Sequence, residues 1–152
     1  MSANDEVIAR FYGAFAAGDA DTMAGCYHER IHFHDPVFQD LDGPEVMKMW
    51  RLLLGRSDDL EITLGEHQAS GDSGSAHWSA VYTFSQTGRV VHNEIDAAFR
   101  FEDGLIIDHR DSFDFWKWTR MALGVPGVLL GWSPIVQGKV RKQSAELLAG
   151  AG

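Results

Sequence analysis

At Ser57 the hydrophobic period of this chain changes from that of a helix to two, and the alternation then holds as far as Phe113. Leu60 to Gln68, Ala76 to Ser85, Arg89 to Phe101 and Leu105 to Phe113 alternate as half-buried strands do. The interruptions are Ser70-Gly71-Asp72-Ser73-Gly74, Gln86-Thr87-Gly88 and Glu102-Asp103-Gly104, all of them tight-turn chemistry. Strands joined in succession by short turns pair antiparallel, and a sheet with one apolar face needs a second layer to cover it.

The residues before Ser57 supply that layer. Ser2 followed by Asp5 is a variant of the capping box, and Val7, Ile8, Phe11, Tyr12 and Phe15 form one helical stripe that Gly18 ends. Asp19 or Asp21 caps a short second helix carrying Met23, Cys26 and Tyr27. Ile31-His32-Phe33-His34-Asp35 alternates and stops at Pro36, which predicts a short strand. Gly43-Pro44-Glu45 opens a third helix with Val46, Met49, Trp50, Leu53 and Leu54 on its buried face. After Phe113 the pattern is helical again, with a break at Gly124 to Gly127 and a basic, amphipathic end around Lys139 to Lys142. The expected fold class is α+β: a cone-shaped, strongly curved antiparallel sheet, three N-terminal helices covering one face, and a helical C-terminal tail. Residues 1–114 form the cone domain and 115–152 a C-terminal helical extension of the same domain.

Strand parity places the side chains. If Asp35 faces the inside of the cone, so do Ile31 and Phe33, while His32 and His34 face away. If Asp111 faces inside, so do His109, Ile107 and Phe113. Trp78, Ala80, Tyr82 and Phe84 share one face of a strand, and Asn93, Ile95, Ala97 and Phe99 share one face of the next. The inferred lining is apolar and aromatic with Asp35, His109, Asp111, Asn93 and Tyr82 as its polar points, the pattern of a small-molecule site.

Charge narrows the partners. Thirteen Lys and Arg against 22 Asp and Glu give a formal net charge of −9, which argues against nucleic acid and anionic membrane, since both demand basic patches. Cys26 is the one cysteine, so an internal disulfide is excluded and a reducing cytoplasm is the expected location. MSANDEVIAR is acidic where a secretory signal is basic, and the longest apolar run, Val125 to Trp132, carries Pro126 and Gly127. His28, His32 and His34 invite a metal reading, yet His32 and His34 face away from the cone and no acid is fixed beside them. No metal and no cofactor is expected.

FYGAFAAGDADTMAGCYHERIHFHDPVF and FRFEDGLIIDHRDSFD resemble the nuclear transport factor 2-like superfamily, and within it the SnoaL-like, ketosteroid isomerase and limonene epoxide hydrolase branches. The resemblance runs from about Glu6 to Asp114 and implies the cone fold and a homodimer. In the isomerases a general-base Asp precedes Pro at the end of the first strand, the position of Asp35. Their two hydrogen-bond donors fall at Phe11 and Ala97, beside Tyr12 and Asp96, and Tyr27 matches a supporting tyrosine. In the epoxide hydrolases the water-activating Asp lies in a stretch mirrored by His109-Arg110-Asp111-Ser112-Phe113-Asp114. Their Arg and second Asp fall at Trp78 and Ala80, and their Tyr and Asn at Phe33 and Asp35. SnoaL-like cyclases keep an Asp where Asp111 stands, so that branch is contradicted least.

Two functions follow. One is an acid–base enzyme, an isomerase, cyclase or hydrolase acting on an apolar, ring-bearing molecule. It would use Asp35, Asp111 and His109, with Phe11, Tyr12, Tyr27, Phe33, Trp50, Trp78, Tyr82, Asn93, Ala97 and Phe113 as ligand contacts. The other is a non-catalytic small-molecule binding protein using the same cavity. Each residue also has a plainer reading. Asp35 can be a strand-end turn residue, His109 and Asp111 a local hydrogen bond, and Tyr27, Trp50 and Trp78 simple core. Trp116, Trp118, Leu123, Val128, Leu129, Leu130 and Trp132 of the tail should close the cone mouth or bury against a second subunit.

Overall fold

A computed structural model describes residues 2–124 and 134–150. The chain runs through α1 (Ala3–Ala16), α2 (Ala20–Gly25), β1 (Tyr27–His34), β2 (Leu41–Asp42) and α3 (Pro44–Arg56). It continues through β3 (Glu61–Ser70), β4 (Ser73–Phe84), β5 (Arg89–Glu102), β6 (Leu105–Ser112), α4 (Phe115–Leu123) and α5 (Pro134–Gly150).

The Ser2 hydroxyl accepts the Asp5 N–H at 3.1 Å and opens α1. Asp5 does not complete the capping box. Its carboxylate reaches instead to His67 Nδ1 at 2.6 Å and ties α1 to β3. Asp19, rather than Asp21, caps α2 through the Thr22 N–H. Pro44 stands in the first turn of α3, where its missing N–H is not needed, and Val46, Met49 and Trp50 are buried.

The six strands form an open, curved sheet in the order β2-β1-β6-β5-β4-β3. Neighbours are antiparallel except for β1 and β6, which run parallel. The expectation of a wholly antiparallel sheet is corrected at that one seam. The cause is topological: α3 carries the chain to the far edge, and the meander β3-β4-β5-β6 returns to lie beside β1. Two boundaries also move. β1 starts at Tyr27 instead of Ile31, held by pairing with Ile106, and β4 starts at Ser73, because the hairpin closes on Ser70 and Ser73.

One parity expectation fails. Arg100 pairs with Asp108 but Phe101 pairs with Ile106, so Ile107 is a bulge residue. Ile106 is therefore the buried neighbour of His109, and Ile107 is only half-buried.

The tail packs on the meander. Asp114 caps α4 by accepting from Lys117 N, while Arg89 Nε and the Thr87 hydroxyl donate to the carbonyls of Met121 and Ala122 at its end. Trp118 is buried, whereas Trp116 is 39% exposed, with the Arg120 guanidinium over its ring. The expected burial of Trp116 is corrected: it lies on the outer side of α4 from Trp118, and a cation covers it. Val128, Leu129, Leu130 and Trp132 lie outside the described residues. No described helix is long and apolar enough to cross a membrane.

Two glycines test the α1–sheet packing in opposite directions. A Cβ on Gly74 would stand 3.0 Å from Gln68 O and 3.1 Å from both Ile8 Cδ1 and Phe101 Cε2. Gly74→Ala should therefore cost about 1–3 kcal/mol by overpacking. Gly13, inside α1, has nothing within 4 Å of that position, so Gly13→Ala should add roughly 0.5–1 kcal/mol. Urea melts of both variants measure this; two shifts of the same sign would contradict the packing described.

Candidate functional site

Inside the curved sheet, between α3, α4 and α5, lies a mainly apolar cavity of about 230 Å³. A sealed apolar cavity of roughly 150 Å³ accepts benzene, so this one has room for a compact ligand of one or two rings. Asp35 and Asp111 enter it from the ends of β1 and β6, where a parallel pairing sets Phe33 opposite His109.

Asp35 Oδ1 accepts the backbone N–H groups of Val37 and Phe38, at 2.7 and 2.5 Å. Pro36 makes that tight turn possible, since it needs no N–H partner of its own. The plain turn reading is therefore true of one oxygen. Burial nonetheless pushes the Asp35 carboxyl up to about 7, and the Asp111 charge adds to it against those two hydrogen bonds.

Asp111 is fixed by a buried chain of side chains. Trp50 Nε1 lies 2.9 Å from the Tyr27 oxygen, which lies 2.8 Å from His109 Nδ1. His109 Nε2 is 2.9 Å from Asp111 Oδ1. An indole nitrogen only donates, so the Tyr27 oxygen accepts from Trp50. Among the described residues the Tyr27 hydrogen has one acceptor, His109 Nδ1. The ring proton then sits on Nε2 and is donated to Asp111. This assignment follows from hydrogen-bond roles. Burial holds the Tyr27 phenol well above its ordinary value, which keeps that donor protonated.

A second indole–phenol pair stands across the cavity, where Trp118 Nε1 donates to the Tyr82 oxygen at 2.8 Å. Burial raises the Tyr82 phenol, the Trp118 hydrogen bond opposes that, and the Asp35 charge adds to it.

Of the residues nominated from sequence, Asp35, Asp111, Trp50, Trp78, Tyr82, Asn93 and Phe113 line the cavity. His109, Phe11, Tyr12, Tyr27, Phe33 and Ala97 stand behind that lining. His109 is fully buried among Phe11, Phe33, Trp50 and Phe99, so it reaches the cavity only through Asp111. Tyr12 is buried against Trp78 and Phe99, and its hydroxyl has no partner among the described residues. Sequence reasoning missed the wall made by α5, where Val140, Gln143, Ser144 and Leu147 face the cavity. Their spacing of three, one and three was the available signal. Arg141 fastens that helix by donating from Nε to Pro36 O at 2.7 Å, next to Asp35.

The histidines on the outer face are occupied differently. His32 bonds Asp42 at 2.8 Å and sits 3.2 Å from Asp40. The expectation that no acid stands beside them is thus corrected, because β2 brings Asp40 and Asp42 alongside β1. Among the described residues, His28, Glu102 and Asp103 bring one ligand atom each within 4.8 Å of one another. Arg30 already holds Glu102 there, which works against a cation.

A family profile described as a SnoaL-like domain matches residues 8–109. No curated protein matches the chain. Several solved structures share its fold. An NTF2-like protein of unknown function from Burkholderia pseudomallei K96243 is 18% identical, with 80% of this chain and 98% of that one covered and a TM-score of 0.69. IdmH, a candidate polyketide cyclase from Streptomyces antibioticus, is 22% identical over 80% of this chain and 99% of its own, with a TM-score of 0.68. An LEH-like epoxide hydrolase from M. tuberculosis is 19% identical over 88% and 95%, with a TM-score of 0.67.

The raised Asp35 carboxyl makes a prediction about stability. A carboxyl whose value is higher folded than unfolded binds more protons in the native state, so its contribution is present at low pH and lost as pH rises towards about 7. Asp35→Asn keeps the acceptor oxygen for Val37 and Phe38 without the charge. It should be more stable than the parent at pH 8 by roughly 2–4 kcal/mol and little different at pH 4. Urea unfolding at the two pH values checks this; a variant less stable at pH 8 would contradict it.

Proposed function

We propose that this chain, which belongs to the SnoaL-like domain family, binds an apolar, ring-bearing small molecule in its cavity and moves a proton on it with Asp35 and Asp111. The observation that carries the reading is the convergence of two carboxylates on one mainly apolar cavity, with Asp35 pushed up to about 7. A general acid–base group works best when it titrates near the operating pH, because both forms are then populated. Asp35 accordingly takes and returns the proton. Burial keeps Asp35 basic, and Asp111, held in place by His109, adds to that effect. Tyr27 and Trp50 act as positioning residues, orienting the imidazole behind Asp111.

A carrier without chemistry is the second reading, and the absence of a donor side chain at Phe11 and Ala97 favours it. With that reading goes the same ligand class. In either case the protein is read as a homodimer of the cytoplasm without cofactor, a state that sizing of the purified protein tests.

A thermal-shift screen of one- and two-ring compounds, followed by solvent deuterium exchange into whatever binds, separates the two. Under the acid–base reading both Asp35→Asn and Asp111→Asn bind within a few-fold of the parent; Asp35→Asn loses about 10²-fold or more in proton exchange or turnover, and Asp111→Asn loses less, with its pH profile moved to lower pH. A carrier shows no exchange in any of the three proteins.

A further inference from the structure

Among the residues that line the cavity, Arg56, Ser85, Gln86, Gln143 and Leu147 are exposed, and they mark its mouth. They come from the end of α3, the turn between β4 and β5, and α5. Strand register sets this mouth apart from the two carboxylates. Asp111 is level with Ala97 and, through it, with Ala76, whereas the turn carrying Ser85 and Gln86 begins beyond Phe84, at the far end of β4.

The two ends differ in charge. Asp35 and Asp111 make the inner end acidic, while Arg56 is the only cation among the described lining residues, and no acid lines the mouth. That runs against the composition of a chain with 22 Asp and Glu to 13 Lys and Arg. Arg56 has no hydrogen-bond or ion-pair partner among the described residues, nor do the side chains of Gln86 and Gln143. Asp58 and Asp59 follow Arg56 closely but lie outside the lining. Asp59 spends its oxygens on the Ser57 hydroxyl and on the N–H and hydroxyl of Thr83, which ties the chain after Arg56 to β4. Across the mouth, the Thr87 hydroxyl donates to Ala122 O and ties the turn that carries Gln86 to α4. The plain role of Arg56 is a cation in the last turn of α3, where the helix dipole favours one. That role requires neither a place on the cavity wall nor free donors beside it.

We infer that the mouth recognises a carboxylate on the cavity's ligand, with Arg56 as its cation and Gln86 and Gln143 as neutral donors next to it. This rests on the ligand-binding reading of the cavity and holds for an enzyme and a carrier alike. The ligand class is an apolar ring compound bearing one carboxylate on a short arm. A guanidinium is always charged, and its planar fork of N–H groups matches the two oxygens of a carboxylate. One cation neutralises one charge, so a doubly charged phosphate would remain unbalanced in a protein of net charge −9. Asp35 and Asp111 repel an anion at the inner end, so the ring enters first and the acid stays outermost.

The test uses 2-naphthylacetate and 2-naphthylacetamide, two-ring probes of the same shape that differ in charge, titrated by calorimetry at ~0.15 M salt. The parent protein should bind the acid about fivefold more tightly than the amide, the effect of roughly 1 kcal/mol from an exposed ion pair. Arg56→Gln should bring the ratio to one or below. Arg56→Lys, which keeps the charge without the fork, should retain part of it. Arg110→Gln removes a cation from the outer face, where Arg110 is exposed and paired with Asp108, and should leave the ratio as it is. Equal binding of the two probes by the parent, an unchanged ratio in Arg56→Gln, or the same loss in Arg110→Gln overturns the proposal, and binding of the amide then leaves the cavity reading standing. Binding of neither probe removes both.

Discussion

The hydrogen-bond chain from Trp50 through Tyr27 and His109 to Asp111 crosses the centre of an aromatic core and joins α3, β1 and β6. Each link takes the donor or acceptor that the previous one leaves, so no member of the chain is left unmatched along it. That matters because a buried polar group without a partner costs about 1–3 kcal/mol, whereas a satisfied one fixes a single arrangement. The parallel seam between β1 and β6 depends on it: Phe33 lies opposite His109, and the imidazole bridges from Tyr27 at the start of one strand to Asp111 near the end of the other. With the seam fixed, Asp35 and Asp111 leave neighbouring strand ends and meet over the same space.

The cost of that meeting falls on Asp35. Two backbone N–H groups favour its ionised form, and burial with a neighbouring negative charge opposes them more strongly. A chain selected only for stability would place Asn or Ser at this turn, since either can accept the same hydrogen bonds. The carboxyl is instead kept where its ionisation destabilises the fold and where it titrates near neutrality. Groups shifted in this way gather at functional sites. The apolar residues around it, Trp78, Phe113 and the α5 wall, create the shift by excluding water from the space a ligand would fill.

Much of this was legible in the sequence because it rests on period and punctuation. The change at Ser57, the three hairpin turns and the helix stripes depend on neighbours a few residues apart. Asp35 and Asp111 came instead from the family resemblance, and strand parity added only which neighbours share their face. What was not legible depends on long-range choices. Parallel pairing of the first and last strands leaves no local mark. The bulge at Ile107 changed parity in one residue, with Ile106 and Ile107 chemically identical. The Trp50–Tyr27 and Trp118–Tyr82 bonds join residues far apart in sequence, and either indole alone reads as core. Asp5 shows the same limit at short range: it looks like half of a capping box and is spent on His67 instead.

The central claim is that Asp35 is buried in an apolar cavity it shares with Asp111, and carboxyl ¹³C NMR titration of Asp35 tests it directly. Asp35 should titrate at about 7 in the parent. In Asp111→Asn its midpoint should fall while staying above the ordinary carboxylate range, because burial is the larger cause and remains. An Asp35 that titrates at about 4 in both proteins would show two independent, solvated carboxylates and contradict the account.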